Sequence, residues 1–458
     1  MTPLALIAKE SGFTVTGSDI ADNFITDEVL QSAGITPLVG FSEEHIIQPD
    51  LVITTGAHGG FFNKEVLAAK AKNIPVISAG EALGLFMDGE FLKRTFTGIS
   101  VAGTHGKTTT SAMLATVLKT TGLDPTYVIG TSSIPSLGAS GHLGKGHYFV
   151  AEADEYATDP INDKKARFLW QHPKIAIVTN IEFDHPDIYS SIDEVRETFG
   201  QFIKQLPEDG LLIAWGDDPQ IKKLLQEYNF EKRVITYGFH RDNNYVLKRV
   251  SISGEQTFLW VEANGMHLGE FALRVTGEHN ALNALSIIVA CLEMNVPVEK
   301  IKIGLRAFLG SKRRLEFIGN LLTGAEVYDD YAHHPTEIKN TLHALRQRYP
   351  KKKIVAVFQP HTYSRTKLLF EEFLRVFAEA DEIVLTEIYA SLRESPDPTV
   401  SSQALAQALL HHHRQVKYLK SLTDVVEYIN QKKFDKETVL VTLGAGDVYK
   451  IHAELRIN

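Results

Sequence analysis

The chain has 458 residues, a hydrophobic fraction of 44%, a charged fraction of 22% and a formal net charge of -9. That length predicts several domains, each able to bury its own core, and the acidic balance excludes a general nucleic-acid role, because phosphate binding leaves a basic patch or stripe. A lone cysteine, Cys291 in the helical run "NALSIIVACLEMN", cannot close an internal disulfide and reads as a small core residue.

No run reaches about 18 apolar residues, the length of a membrane span, and the opening "MTPLALIAKESGF" lacks the basic and apolar regions of a signal peptide. A cytoplasmic protein without membrane insertion is expected. From Leu4 the pattern is helical. "FTVTGSD" then predicts a strand ending at Asp19, followed by a helix from about Thr26 and by strands in "DLVITTGA" and "IPVISAG". Strands alternating with helices imply a parallel sheet with crossover helices, and Asp19 sits where the second strand of a dinucleotide-type fold often ends in an acid. No strand or glycine turn precedes the opening helix, so this first block, residues 1–95, is expected to lack its first strand.

A second α/β block, residues 96–311, carries "ISVAG", "YFVAEAD", "KIAIVTN" and "GLLIAWGDD". Its later part, "FLWVEANGMHLGEFALRV", alternates and reads as antiparallel strands before the long helix "HNALNALSIIVACLEMN". The third block, residues 312–458, again separates strands by helices: "AEVYDDYA", "KIVAVFQP", "EIVLTEI", "QVKYLK" and "TVLVTLGAGD". The fold class expected is three-domain α/β. His411 to His413 read as an exposed helix end rather than a metal site.

Three strands of the middle block turn from apolar to polar at the same end. "ISVA" leads into Gly103, Thr104, His105, Gly106, Lys107, Thr108 and Thr109; "YFVA" leads into Glu152, Asp154 and Glu155; "KIAIV" leads into Asn180 and His185. In a parallel sheet the carboxyl ends share one edge, where open α/β folds bind ligands, so these side chains are expected to converge. A glycine turn before a helix aims backbone N–H groups at an anion, and Lys107 adds charge: this is a phosphate cradle. Val101 occupies the first glycine position of the general phosphate-loop pattern and so departs from it. Thr108 and Glu152 are natural oxygen ligands for Mg2+. The plainer alternatives are a solvated acidic loop at Glu152 to Glu155 and a structural histidine at His185.

Taken together, "AGTHGKTTT", "AEADE", "VTNIEFDH", "GEHNALNAL", "RRLE", "DDYAHHPTEI", "FQPHTYSRT" and "GAGD" resemble, in this order, the Mur ligases of peptidoglycan synthesis. The family's cradle is a shortened G-T-x-G-K-T, which accommodates Val101. The resemblance implies a UDP-binding Rossmann-like domain, a central ATPase domain and a C-terminal Rossmann-like domain that receives the amino acid. It implies, too, a reaction in which ATP phosphorylates a carboxylate and an amine attacks the acyl phosphate. In the branch of closest likeness the partners are UDP-N-acetylmuramate and L-alanine.

Carried over residue by residue, the resemblance implies that Lys107 holds the β- and γ-phosphates and that Thr108 and Glu152 hold Mg2+. His185 would position a second Mg2+ or the acyl phosphate. Asn280 matches a residue near adenine, with a helix N-cap as the alternative. Arg314 matches an arginine that reaches the phosphates, and Asp330 an acid near the ribose. His333, His361 and Arg365 match positions that hold the incoming amino acid, with a pair of helix-start histidines as the alternative for His333 and His334.

The match breaks in places. Family members carry a glycine-rich turn before their first helix, which implies either a true start upstream or weak binding of the nucleotide-sugar here. Thr362 follows His361 where alanine-adding members usually have an arginine. "EADEYATDPINDKKARF" looks closer to the murein tripeptide ligase, which leaves that enzyme, and a nucleotide-binding relative without ligase activity, as alternative readings. No lysine lies between His185 and Lys204, so a carbamoylated lysine has no counterpart.

Overall fold

The computed structural model describes residues 1–458 except 23, 229 and 391–393. Its centre is a ten-stranded sheet in the order Met266–Leu273, Gln256–Ala263, Tyr245–Ser253, Arg233–Gly238, Leu211–Trp215, Ile175–Val178, Thr97–Ala102, Tyr148–Ala153, Thr126–Val128 and Gly141–His142. The middle of that sheet is parallel, and its two margins turn antiparallel. Parallel strands are covered on both faces, so they are apolar at nearly every position: Ile99, Val101, Val150, Ile177 and Ile213 are all buried. Each such side chain contributes roughly 1.5–3 kcal/mol of burial.

At the antiparallel margin the alternating run forms the expected hairpin. Asn264 and Gly265 both have positive φ, at 48° and 81°, the primed turn that matches strand twist. The helix Glu278–Glu293 then buries Cys291 in the core behind the sheet. His411 and His412 are exposed beyond the helix Ser402–Leu409, while His413 reaches the carbonyl of Ala380 at 2.7 Å.

The C-terminal sheet has six strands in the order Glu316–Asn320, Glu326–Asp330, Thr438–Leu443, Lys353–Phe358, Glu382–Leu385 and Val416–Tyr418, parallel except for the first pair. Asp330, Leu443 and Phe358 lie level in the ladder. The loops that follow them, carrying Tyr331 to His334, Gly444 to Asp447 and Gln359 to His361, therefore leave from one edge.

The N-terminal block differs from expectation in extent. Of "FTVTGSD" only Ser18–Asp19 pairs as strand, with Leu38–Val39, and Val52–Thr54 pairs separately with Val76–Ser78. Among the described residues no strand lies between the two pairs. Without a neighbour on its second side, a strand as polar as this one has only two residues of partner to hold it. The helix Thr2–Glu10 buries Leu4, Leu6 and Ile7, and Leu4 and Ile7 join a cluster with Ala82, Leu83 and Phe86. Among the described residues no helix is long and apolar enough to cross a membrane.

Candidate active site

The three polar strand ends do converge. Ala102 pairs with Ala153 on one side and with Val178 on the other, so Gly103, Asp154 and Thr179 begin their loops at the same height. Gly103 has φ 140°, and a Cβ there would stand 2.0 Å from Thr179 Oγ1. Gly106 has φ 83° and its Cβ would meet Asn283 Oδ1 at 2.9 Å. Both positions demand glycine, for conformation and for space. The helix Lys107–Thr120 starts immediately after, its free N–H groups facing the turn.

Within the turn Lys107 Nζ donates to the carbonyls of Gly103 (2.7 Å) and Thr104 (3.1 Å) and to Glu155 Oε2 (2.9 Å). Burial works to lower its pKa, but the carboxylates of Glu155 and Asp154 outweigh it and hold the ammonium charged. Glu155 is itself kept below the usual carboxylate range: burial opposes this, and the charges of Lys107 and His185 prevail. Thr108 Oγ1 donates to Glu152 Oε1 at 2.7 Å, while Glu152 Oε2 accepts from the Gly130 N–H at 2.7 Å. Burial, then Asp154, pushes the Glu152 carboxyl up. A hydroxyl and a carboxylate oxygen in contact beside a phosphate cradle are hard donors of the kind Mg2+ takes. His185 Nε2 lies 3.3 Å from Glu155 Oε1 and 3.8 Å from Asp184 Oδ2.

A cavity of about 480 Å³ joins this edge to the C-terminal sheet. Thr104, His105, Lys107, Thr108, Glu152 and His185 line it from the central domain, and Arg314, His333, His361 and Arg365 from the other side. Arg314 Nη2 donates to Thr108 Oγ1 at 3.3 Å, and its Nη1 lies 3.6 Å from Glu337. Arg365 Nε donates to Asp184 Oδ1 at 2.8 Å with both side chains 5% exposed, and its Nη1 is 3.0 Å from His361 Nδ1. Burial would raise Asp184, yet the Arg365 guanidinium holds it well below its ordinary value. His333 Nδ1 meets the Tyr331 carbonyl at 2.9 Å, and its ring sits edge-on to His361 at 5.7 Å. Burial lowers His333 to about 4, so it is a neutral imidazole at neutral pH.

Non-glycine residues with positive φ occur in all parts of the described chain, and three of them stand on the cavity wall. These are His185, Arg313 and Thr362, with φ of 56°, 58° and 68°. Such conformations cost about 1–3 kcal/mol each for non-glycine residues and collect at functional sites.

Six expected residues are not among those lining the cavity: Gly103, Gly106 and Thr109 of the cradle segment, and Asp330, Asn280 and Asp19. Asp330 is buried under it: its oxygens accept from the Leu315 and Ala332 N–H groups and from Thr341 Oγ1, and burial raises it to about 6. Asn280 lies inside the first turn of its helix, whose N-cap is Gly277, and donates to the Thr276 carbonyl at 2.8 Å. Asp19 accepts from the Ile20 N–H and faces His58 at 3.5 Å in the N-terminal block.

Sequence reasoning missed three groups. Glu337 lies in "HHPTEI" and follows the helix N-cap His334 by three, a capping-box spacing that would have flagged it. Asp184 is visible only as the neighbour of His185. Arg167 carried no signal at all, yet its guanidinium meets Tyr156 at 2.9 Å and Asp154 at 3.4 Å on the cavity wall.

A phosphate cradle facing cationic and imidazole groups from a second α/β domain defines a nucleotide-dependent ligase architecture. Family models agree: residues 1–91 match the Mur ligase family catalytic domain, 101–291 the Mur ligase middle domain and 313–446 the Mur ligase glutamate ligase domain. A UDP-N-acetylmuramate--L-alanine ligase of Desulfitobacterium hafniense is 41% identical over 99% of this chain and 96% of its own. Among solved structures, UDP-N-acetylmuramate-alanine ligase from Thermotoga maritima aligns with a TM-score of 0.81 at 28% identity, covering 99% of this chain and 95% of that one. A murein peptide ligase from Psychrobacter arcticus aligns with a TM-score of 0.70 at 26% identity, over 99% and 95% of the two chains. The chain belongs to the Mur ligase family and is an ATP-dependent ligase.

Proposed function

We propose that this protein joins L-alanine to the carboxylate of UDP-N-acetylmuramate through an acyl phosphate, in the cytoplasm, as a step of peptidoglycan biosynthesis. The observation that carries the reading is the single cavity on which Lys107 and Glu152 face His333, His361 and Arg365. The proposed division is residues 1–95 for the UDP-sugar, 96–311 for ATP and 312–458 for the amino acid.

In this reading Lys107 holds the β- and γ-phosphates and Arg314 meets charge that develops on the transferring group, an electrostatic role that needs no covalent nucleophile. Thr108 and Glu152 would hold Mg2+, which when bound would neutralise charge on the phosphate oxygens. Arg365, anchored by Asp184, pairs with the carboxylate of the amino acid. His333, neutral by burial, can take the proton released as the amine attacks. His185 orients the acyl phosphate, Asn280 and Asp330 serve the adenosine side, and Asp19 serves the nucleotide-sugar. The 41% identity to an alanine-adding enzyme over nearly the whole chain supports L-alanine over a murein peptide.

The test is product formation by mass spectrometry from UDP-N-acetylmuramate, ATP and Mg2+ with L-alanine, L-serine, glycine or the murein tripeptide. The expected product carries one alanine. Product from the tripeptide alone would overturn the reading.

A further inference from the structure

Beside the proposed Mg2+ pair, and distinct from it, three side chains from the two sides of the domain boundary point at one another. His105 and Glu182 come from the central domain and His334 from the start of the C-terminal helix Pro335–Arg348. One ligand atom from each lies within 4.8 Å of the others. His105 Nε2 is 3.5 Å from Glu182 Oε2, which is 3.8 Å from His334 Nδ1. Metal–ligand bonds of about 2.0–2.1 Å in a tetrahedron separate ligands by roughly 3.4 Å, so two of these spacings already fit.

Two further observations point to an ion. The His105 side chain is 9% exposed, and its Nε2, directed into this cluster, makes no well-formed hydrogen bond, facing Glu182 Oε2 across an ion-pair distance of 3.5 Å. A buried ring nitrogen without a well-formed hydrogen bond leaves a place for an occupant. Each imidazole is also held from behind: His105 Nδ1 lies 3.4 Å from Glu337 Oε1, and His334 Nε2 lies 3.3 Å from the Phe183 carbonyl. Metal-ligating histidines present this arrangement, one nitrogen on the ion and the other N–H on a carboxylate or carbonyl. Glu182, at 34% exposure, leaves a path to solvent, from which a water can come as fourth ligand.

We propose that His105, Glu182 and His334 bind a zinc-class divalent cation that clips the C-terminal domain to the central one. Two imidazoles and one carboxylate select such an ion over Mg2+, which prefers oxygen. The ion takes the lone pair of His334 Nδ1 that the Thr336 N–H reaches at 3.3 Å, and replaces the His105 Nε2 proton that faces Glu182, while the Nδ1 proton stays on Glu337. The proposal is independent of the reaction assigned above, so either can fail without the other.

The test uses Co2+ as a probe on the full chain in a His411→Ala/His412→Ala background, at about pH 8, where an ordinary imidazole is already neutral and the ion has the ion-paired proton of His105 to displace. The expected result is one Co2+ per chain with the intense visible bands of a four-coordinate site, displaced by Zn2+ and unmoved by about 100-fold excess Mg2+. His334→Asn, which retains an acceptor for the Thr336 N–H, and Glu182→Gln, which retains one for Thr336 Oγ1, should each weaken binding by about tenfold or more. If His334→Asn does not fold, Glu182→Gln carries the comparison alone. Absence of the bands, their displacement by Mg2+, or a folded variant that binds as the parent does would overturn the proposal.

Discussion

The two sides of the cavity are built by different means. On the central side, Gly103, Gly106, Lys107 and Thr108 are fixed by one strand–turn–helix segment, and Glu152 by the adjoining strand in register with it. On the C-terminal side, Arg365 is fixed by Asp184 across the domain boundary, and the Glu337 carboxylate is shared between His105 and Arg314. The first half is set by local backbone geometry. The second depends on the two domains being together, which is the condition that domain closure imposes on ligases of this kind.

Substitutions should separate the two halves. Lys107→Ala removes the cradle's charge and should lower turnover by about 1000-fold or more with the far-UV spectrum unchanged. A folded variant with the parent's rate of product formation would break the assignment. Glu152→Gln should cost about 100-fold and shift the Mg2+ dependence to higher concentration, which a magnesium titration of turnover reads directly.

On the boundary side, Asp184→Asn leaves the Arg365 guanidinium buried without its counter-charge. The KM for the amino acid should rise by about tenfold, more than kcat falls, and the KM for ATP should hold. Equal change in both Michaelis constants would show that the pair serves the fold in general rather than the amino-acid half.

The smallest effect is on pH dependence. Burial works against a charged His105, but Glu182 and Glu337 raise it to about 10, above the unfolded value near 6.5. Its contribution is therefore complete below about pH 6.5 and is lost as pH climbs through 10. Glu182, lowered to about 2 because His105 and Thr336 outweigh burial, contributes above about pH 4.5 and loses that as pH falls through 2. Thermal unfolding across pH should show both slopes, and His105→Gln should flatten them. Unchanged slopes in that variant would contradict the ion-pair account.

The same contrast explains what could be seen in the sequence. The cradle was legible because glycine, lysine and threonine must stand at fixed spacing between a buried strand and a helix, and the converging strand ends follow from parallel pairing alone. The roles of His333, His361 and Arg365 came only through family likeness, since nothing in their spacing says that Asp184, far away in the chain, holds the arginine. Arg167 and Glu182 were invisible for the same reason: their partners are set by tertiary contact. At the start of the chain the strand expected over "FTVTGSD" shrank to Ser18–Asp19, because local β-propensity cannot supply a neighbouring strand.

The claim that the two halves form one site is tested most directly by phosphate release with each component omitted in turn. The account predicts release only when ATP, Mg2+, UDP-N-acetylmuramate and L-alanine are all present, with one phosphate per amide formed. Release that proceeds at the same rate without the nucleotide-sugar or without the amino acid would contradict it.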